Sequence, residues 1–204
     1  MDNGRIREIQ MKRVLKSTVL FFILTGISWQ AGAFNETDLQ KLKSSLKCFK
    51  CDLTAADLEG AVLPGADLTG ADLTEANLFR TNLAGATLRS AVLTKSIPML
   101  TNLTGADLSG VNLIEAYMED ANLQDANLTG ADLTKAYLEA TDLTGADLTQ
   151  ANFTGAFLEG VNLENADLTD AVLTDTKLDW VKNPNTAILR RTTMPDATVN
   201  NSGC

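Results

Sequence analysis

The apolar positions of this chain recur neither at the helical spacing nor at the strand spacing but at every fifth residue. From Leu53 to Leu178 the period runs without insertion or deletion through 26 pentapeptides. Leu holds 23 of the centres; the exceptions are Pro98, Met118 and Phe153. Two residues before each centre stands Ala, Ser, Thr, Val or Cys in all 26, and between them lies Asp or Asn in 17. On a helix successive centres would advance by about 140° and smear around the cylinder. On a straight strand they would flip between faces. The spacing predicts a three-residue strand pointing in, out and in, followed by a two-residue corner. Ten of the 14 glycines follow a centre by two residues, as in Gly60, Gly65 and Gly70. That is where a turn needing positive φ selects glycine.

The runs Ala66-Asp67-Leu68-Thr69-Gly70 and Ala71-Asp72-Leu73-Thr74 resemble the A(D/N)LXX motif of the pentapeptide-repeat family. The resemblance covers about 130 residues. It implies an all-β, right-handed quadrilateral β-helix with four pentapeptides per coil and Leu and Ala in its core. Twenty-six repeats then form about 6.5 coils, a rod about 31 Å long at the strand spacing. Lys12, Arg13 and Lys16 precede an apolar run from Val19 to Ile27, and Ala31-Gly32-Ala33 follows. This is the order of a secretory signal peptide cleaved after Ala33, with Met11 as an alternative start. The apolar run is far short of the ~20 residues of a spanning helix. With Cys48-x-x-Cys51-Asp52-Leu53 and the Met194-Pro195-Asp196 tail, the chain looks most like the lumenal or periplasmic members of cyanobacteria and chloroplasts.

A stacked solenoid needs closed ends. Residues 34–50 are expected to form a short N-terminal capping helix, opened by a Thr37-x-x-Gln40 capping box, with Leu39, Leu42, Leu46 and Phe49 near one face. The solenoid is expected over 51–180 and an irregular C-terminal cap and tail over 181–204, where Trp180, Val181, Ile188 and Leu189 are available to cover the last coil.

The full chain has a net charge of −9. Without the five Lys/Arg and two Asp/Glu of residues 1–33, 12 basic and 24 acidic residues remain, a net charge of −12. This balance disfavours nucleic acid and anionic membranes and favours a partner protein with a basic surface, or metal ions. The absence of histidine removes His-based acid/base catalysis and most metal sites. No catalytic residue, cofactor or metal ligand set is expected. For Cys48 and Cys51, a local disulfide, free thiols, and redox or metal chemistry are the readings, and export favours the disulfide. Cys204 is then left over.

Residues 20 apart stack if a coil holds four pentapeptides. Glu75, Lys95, Glu115 and Lys135 then form an alternating charge ladder. One face departs from the pattern: it carries Ile97, Tyr117, Tyr137 and Phe157 in place of Asp or Asn. Two residues on lie Phe79, Met99, Glu119, Glu139, Glu159 and Asp179. Pro98 predicts a kink or bulge over 96–100, because proline cannot donate to a ladder. Tyr117, Tyr137, Phe157, Glu119, Glu139 and Glu159 are the candidate partner-binding residues. A structural column with the C-terminal tail folded over it, and cation binding, are the competing readings. The reading of the whole is a non-enzymatic binding or scaffold module of the thylakoid lumen or periplasm, monomeric or weakly oligomeric and free of the membrane after cleavage. An acidic DNA-mimicking rod that inhibits a topoisomerase and a purely structural protein are the alternatives.

Intact mass before and after alkylation checks the ends of this reading. Exported material is expected to begin at Phe34 with Cys48 and Cys51 unreactive; two alkylated thiols there contradict the disulfide.

Overall fold

The computed structural model describes residues 34–178 and 180–200. The signal-peptide reading of residues 1–33 and the positions of Asp179 and Cys204 lie outside the described residues. From Lys47 onward, parallel bridges join residues 20 apart: Lys47 to Asp67, Asp52 to Asp72, Asp57 to Asn77, Val62 to Asn82, and so on along the chain. A turn follows each three-residue strand. One coil is therefore four pentapeptides. Core Leu side chains such as Leu68, Leu73 and Leu78 are fully buried, as are the alanines two residues before them. Each buried Leu contributes about 1.5–3 kcal/mol.

The backbone explains the period. In one pentapeptide, the Asp72 amide donates to the Cys51 carbonyl of the preceding coil at 2.9 Å. The Leu73 amide donates to Val92 of the next coil at 2.7 Å and the Glu75 amide to Thr94 at 2.9 Å. The Ala76 amide closes the corner onto the Leu73 carbonyl at 2.9 Å. The fifth amide, that of Thr74, donates to Asp72 Oδ1 at 2.9 Å. Each of the 17 Asp or Asn residues at the outward strand position accepts this same bond from the residue two further on. At Val62, which has no acceptor, the residue two on is Pro64, which has no amide hydrogen. Buried polar backbone demands such pairing.

The corner residue after that fifth amide is left-handed in every pentapeptide. The ten corner glycines have φ between 62° and 69°, and Glu75, Lys95, Glu115, Lys135 and Gln150 adopt φ of 56–60° as well. Within the charge ladder, Lys95 and Glu115 approach to 3.9 Å while remaining well exposed, so the pair adds little stability.

Both ends differ from expectation. Helix α1 spans Glu36–Ser45, and Asn35 caps it by accepting from the Thr37 and Asp38 amides. The expected capping box does not form: Gln40 Nε2 donates to Glu36 Oε1 instead. Leu46 turns left-handed at φ 56° and stops the helix. The pentapeptide pattern then starts at once, with Cys48 as a centre, so Phe49 points outward, 57% exposed, with Lys50 Nζ over its ring. Leu39 and Leu42 bury against the first coil, and Asp38 Oδ2 accepts from the Asp52 amide, where later coils offer a backbone carbonyl. Cys48 and Cys51, both buried, are joined with S–S 2.10 Å.

At the other end the coil continues beyond residue 180. Lys182 pairs with Asn162 at the usual spacing of 20. A short 3₁₀ turn at Pro184–Thr186 then inserts one residue, and Ile188 and Thr193 pair with Asp167 and Val172 at a spacing of 21. Leu189 and Met194 face the core. Strands β1 (Thr192–Thr193) and β2 (Val199–Asn200) form a small antiparallel hairpin beyond it. Trp180 and Ile188 do not cover the core as expected: Trp180 is 82% exposed, and Ile188 occupies the outward position of its strand.

Left-handed corners give a direct test. Gln150, at φ 60° and exposed, sits where glycine is free of Cβ strain. Gln150→Gly is expected to stabilise by up to about 1 kcal/mol after the glycine entropy cost. Gly145→Ala, whose Cβ would run into Asp125 Oδ1 at a corner with φ 68°, is expected to lower the melting temperature. Thermal melts that rank the two the other way contradict the corner assignment.

Candidate docking face

On one side of the coil the outward position holds rings in place of Asp or Asn. Tyr117 pairs with Tyr137 and Tyr137 with Phe157 in the parallel ladder. Their rings stack with centroids 4.8 and 4.9 Å apart and planes 3° from parallel. Isolated rings prefer offset or edge-to-face packing; here the coil rise imposes the face-to-face column. All three rings are half-exposed. Ile97 lies one coil below Tyr117 by sequence period. One coil above Phe157, Lys177 sets its ammonium 5.1 Å from the ring centroid, a cation–π contact.

Pro98 does not bulge this face. The Tyr117 amide still donates to Ser96 at 3.0 Å and the Leu100 amide to Glu119 at 3.1 Å, so the register passes through 96–100 unchanged. The proline takes the place of one donor only. Buried Thr81, Thr101 and Thr141 follow this face at its corner and donate hydroxyls to the Leu58, Leu78 and Met118 carbonyls of the preceding coil. These bonds fasten successive coils beside the column.

Replacing Asp or Asn by a ring removes the acceptor for the fifth amide. At Glu119 and Glu139 the side chain's own backbone amide holds the carboxyl down against the effect of burial. Burial, partly offset by that amide and reinforced by Glu139 and Asp120, pushes the Glu119 carboxyl up to about 7. Burial likewise raises Glu139, with Glu159 adding to it and Lys177 opposing. The Oε2 atoms of both residues are buried without a hydrogen-bond partner. Burial, then Tyr137 and Glu119, also raises the Tyr117 phenol. Elsewhere the outward carboxylates behave oppositely. Asp142 is raised by burial, but bonds from the Thr144 hydroxyl and amide and from Gln124 and Asn162 outweigh it and hold the group low.

The structure therefore brings Tyr117, Tyr137 and Phe157 into one column, with Glu119 and Glu139 tucked beside it and Glu159 exposed. Asp179, expected at the end of the carboxylate row, lies outside the described residues. The described tail does not run along the column; Lys182, Ile188 and Thr193 extend the three other faces. Sequence reasoning placed Met99 in this row but overlooked Lys177. Lys177 was legible from the period of 20, one coil after Phe157, just as the buried Met99 stands one coil before Glu119. Among the described residues no group of acidic or Cys side chains could hold a metal ion, and no helix is long and apolar enough to cross a membrane.

Comparison with known proteins places the repeat. No curated protein matches the chain. Among solved structures it is similar to HetL, a pentapeptide repeat protein involved in heterocyst differentiation regulation from the cyanobacterium Nostoc sp. strain PCC 7120. The identity is 26%, over 84% of this chain and 96% of that one, with a TM-score of 0.35. A pentapeptide repeat protein from the Arabidopsis thaliana thylakoid lumen is 32% identical over 57% of this chain and 71% of its own, with a TM-score of 0.36. Rfr23 from the cyanobacterium Cyanothece 51142 is 23% identical over 75% and 97%, with a TM-score of 0.34. Those scores are low, and the assignment rests on the repeat itself. The pentapeptide-repeat family profile matches in eight copies over residues 51–89, 73–97, 101–139, 121–160, 131–170 and 146–182. Members of that family fold as right-handed β-helices and are generally structural or binding proteins. With the match spanning well over half of its length, this chain belongs to the pentapeptide-repeat family.

Proposed function

We propose that this protein is a non-enzymatic binding or scaffold module, exported to the thylakoid lumen or periplasm, whose aromatic face docks a partner protein with a basic surface. In this reading the coil is a four-sided, right-handed solenoid, closed by α1 at one end and by the irregular C-terminal segment at the other. It uses no cofactor and acts as a monomer or weak oligomer. The signal-like order of residues 1–33 and the paired Cys48 and Cys51 support export.

One observation carries the docking role: two buried, unpartnered carboxylate oxygens beside a half-exposed column of stacked rings. An unsatisfied buried acceptor costs about 1–3 kcal/mol. A lysine or arginine from a partner supplies the missing donor and lies over the rings at the same time. Lys177 over Phe157 performs the second half of this contact within the chain itself. Rings provide contact area, and the acidic surface steers a basic partner into place.

The test uses the mature protein as bait on the exported fraction. Tyr137→Ala combined with Glu139→Lys is expected to abolish capture of the partner while the melting temperature stays within a few degrees. Asp125→Lys, a charge change on another face, is expected to capture as the unaltered protein does. Unfolding of the double variant, or equal capture by all three proteins, assigns the column a structural role.

A further inference from the structure

Glu119 and Glu139 stand one coil apart, with the Asp120 amide donating to the Glu139 carbonyl at 3.0 Å. Each has its Oε2 buried without a hydrogen-bond partner, and its own amide acts on the carboxyl against the effect of burial. Two carboxylates in this arrangement repel each other and lack donors. A single proton removes that repulsion and takes one charge off a group held away from water.

The surroundings favour that proton. Met99, one coil below Glu119, is buried and apolar, and the stacked rings of Tyr117 and Tyr137 belong to the same column. Glu115, Asp120 and Glu159 all bring negative charge to the column. Lys177 opposes them from the far side of Glu139, and Arg80 lies over the Phe79 ring, two coils below Glu119 by sequence period. The local balance is acidic.

We propose that Glu119 and Glu139 form a proton-responsive pair that holds a proton in mildly acidic medium and releases it as pH rises, exposing an anionic site to a cationic group. Uptake of the proton firms the coils around the column. The second half of this proposal rests on the docking reading; the first half concerns the free protein alone.

The direction follows from linkage. The Glu119 carboxyl lies at about 7 in the folded chain and at an ordinary 4.5 once exposed. Between those values the folded chain binds more protons than the unfolded one, so stability falls as pH rises through that window. Its contribution is fully present only below the lower value. Asp67, Asp107, Asp142 and Asp147 are held below 3.8 and change protonation at lower pH, outside the window.

Two measurements on the mature protein test this. Carboxyl carbon NMR of the unaltered protein is expected to show one or two Glu signals with midpoints well above the remainder, and Glu119→Gln is expected to remove the highest. Thermal melts from about pH 5 to about pH 8 are expected to fall with pH in the unaltered protein and in Glu159→Gln. The Glu119→Gln, Glu139→Gln double variant is expected to lose more than half of that fall. If every Glu carboxyl titrates at the ordinary position, or the double variant keeps the full slope, the proton-responsive pair is overturned. Capture by the bait that persists alongside that result leaves docking intact. A titration as expected with no partner captured at about pH 8 removes docking and leaves the proton pair.

Discussion

Each pentapeptide has five backbone amides to place in a close-packed coil, and the character of the repeat depends on the fifth. Four are met by carbonyls, three across coils and one across the corner. The remaining amide points along the strand edge toward the outward side chain, and the short carboxylate or amide of Asp or Asn reaches it at about 3 Å. A longer or apolar side chain leaves it unmet. The repeat is thus a hydrogen-bonding rule as much as a hydrophobic one. The small residue and the Leu fill the core, the Asp or Asn completes the edge, and the left-handed corner sets the next strand on its way.

This rule gives the aromatic face its character. Substituting rings for Asp or Asn gains stacking area and gives up the fifth bond, and two residues on stand the glutamates whose own amides act on their carboxyls. One oxygen on each of Glu119 and Glu139 is buried there without a donor. Unmet polarity and exposed apolar surface therefore coincide because one substitution causes both. Local rules broken without compensation inside the chain are where function is most often found.

The period of five, the inward and outward assignment and the positive-φ corners were all legible, because each leaves a fixed residue type at a fixed offset. The column itself was legible from Tyr117, Tyr137 and Phe157 alone once residues 20 apart were stacked. The role of Asp and Asn was not, since a side chain's bond to an amide two residues on leaves no trace in periodicity beyond the residue's presence. The ends were read less well for a related reason. Cys48 is a repeat centre without Leu, so the first pentapeptide looked like helix; the single residue inserted at Pro184–Thr186 hid Met194 from a search in strict steps of five, and Leu189 was read as cover for the last coil without its place in a further repeat. The expected kink at Pro98 failed because a lost donor affects one bond, while neighbouring amides on both sides still hold the register.

The claim that the outward side chain completes the edge is tested most directly at Asp132, which accepts from the Thr134 amide at 3.0 Å. Amide hydrogen exchange is measured residue by residue in the unaltered protein and in Asp132→Ala. The account predicts that protection at Thr134 is lost, while the Leu133 and Lys135 amides, bonded to Asn152 and Thr154 of the next coil, keep theirs. Undiminished protection at Thr134, or collapse of all three amides together, would contradict it.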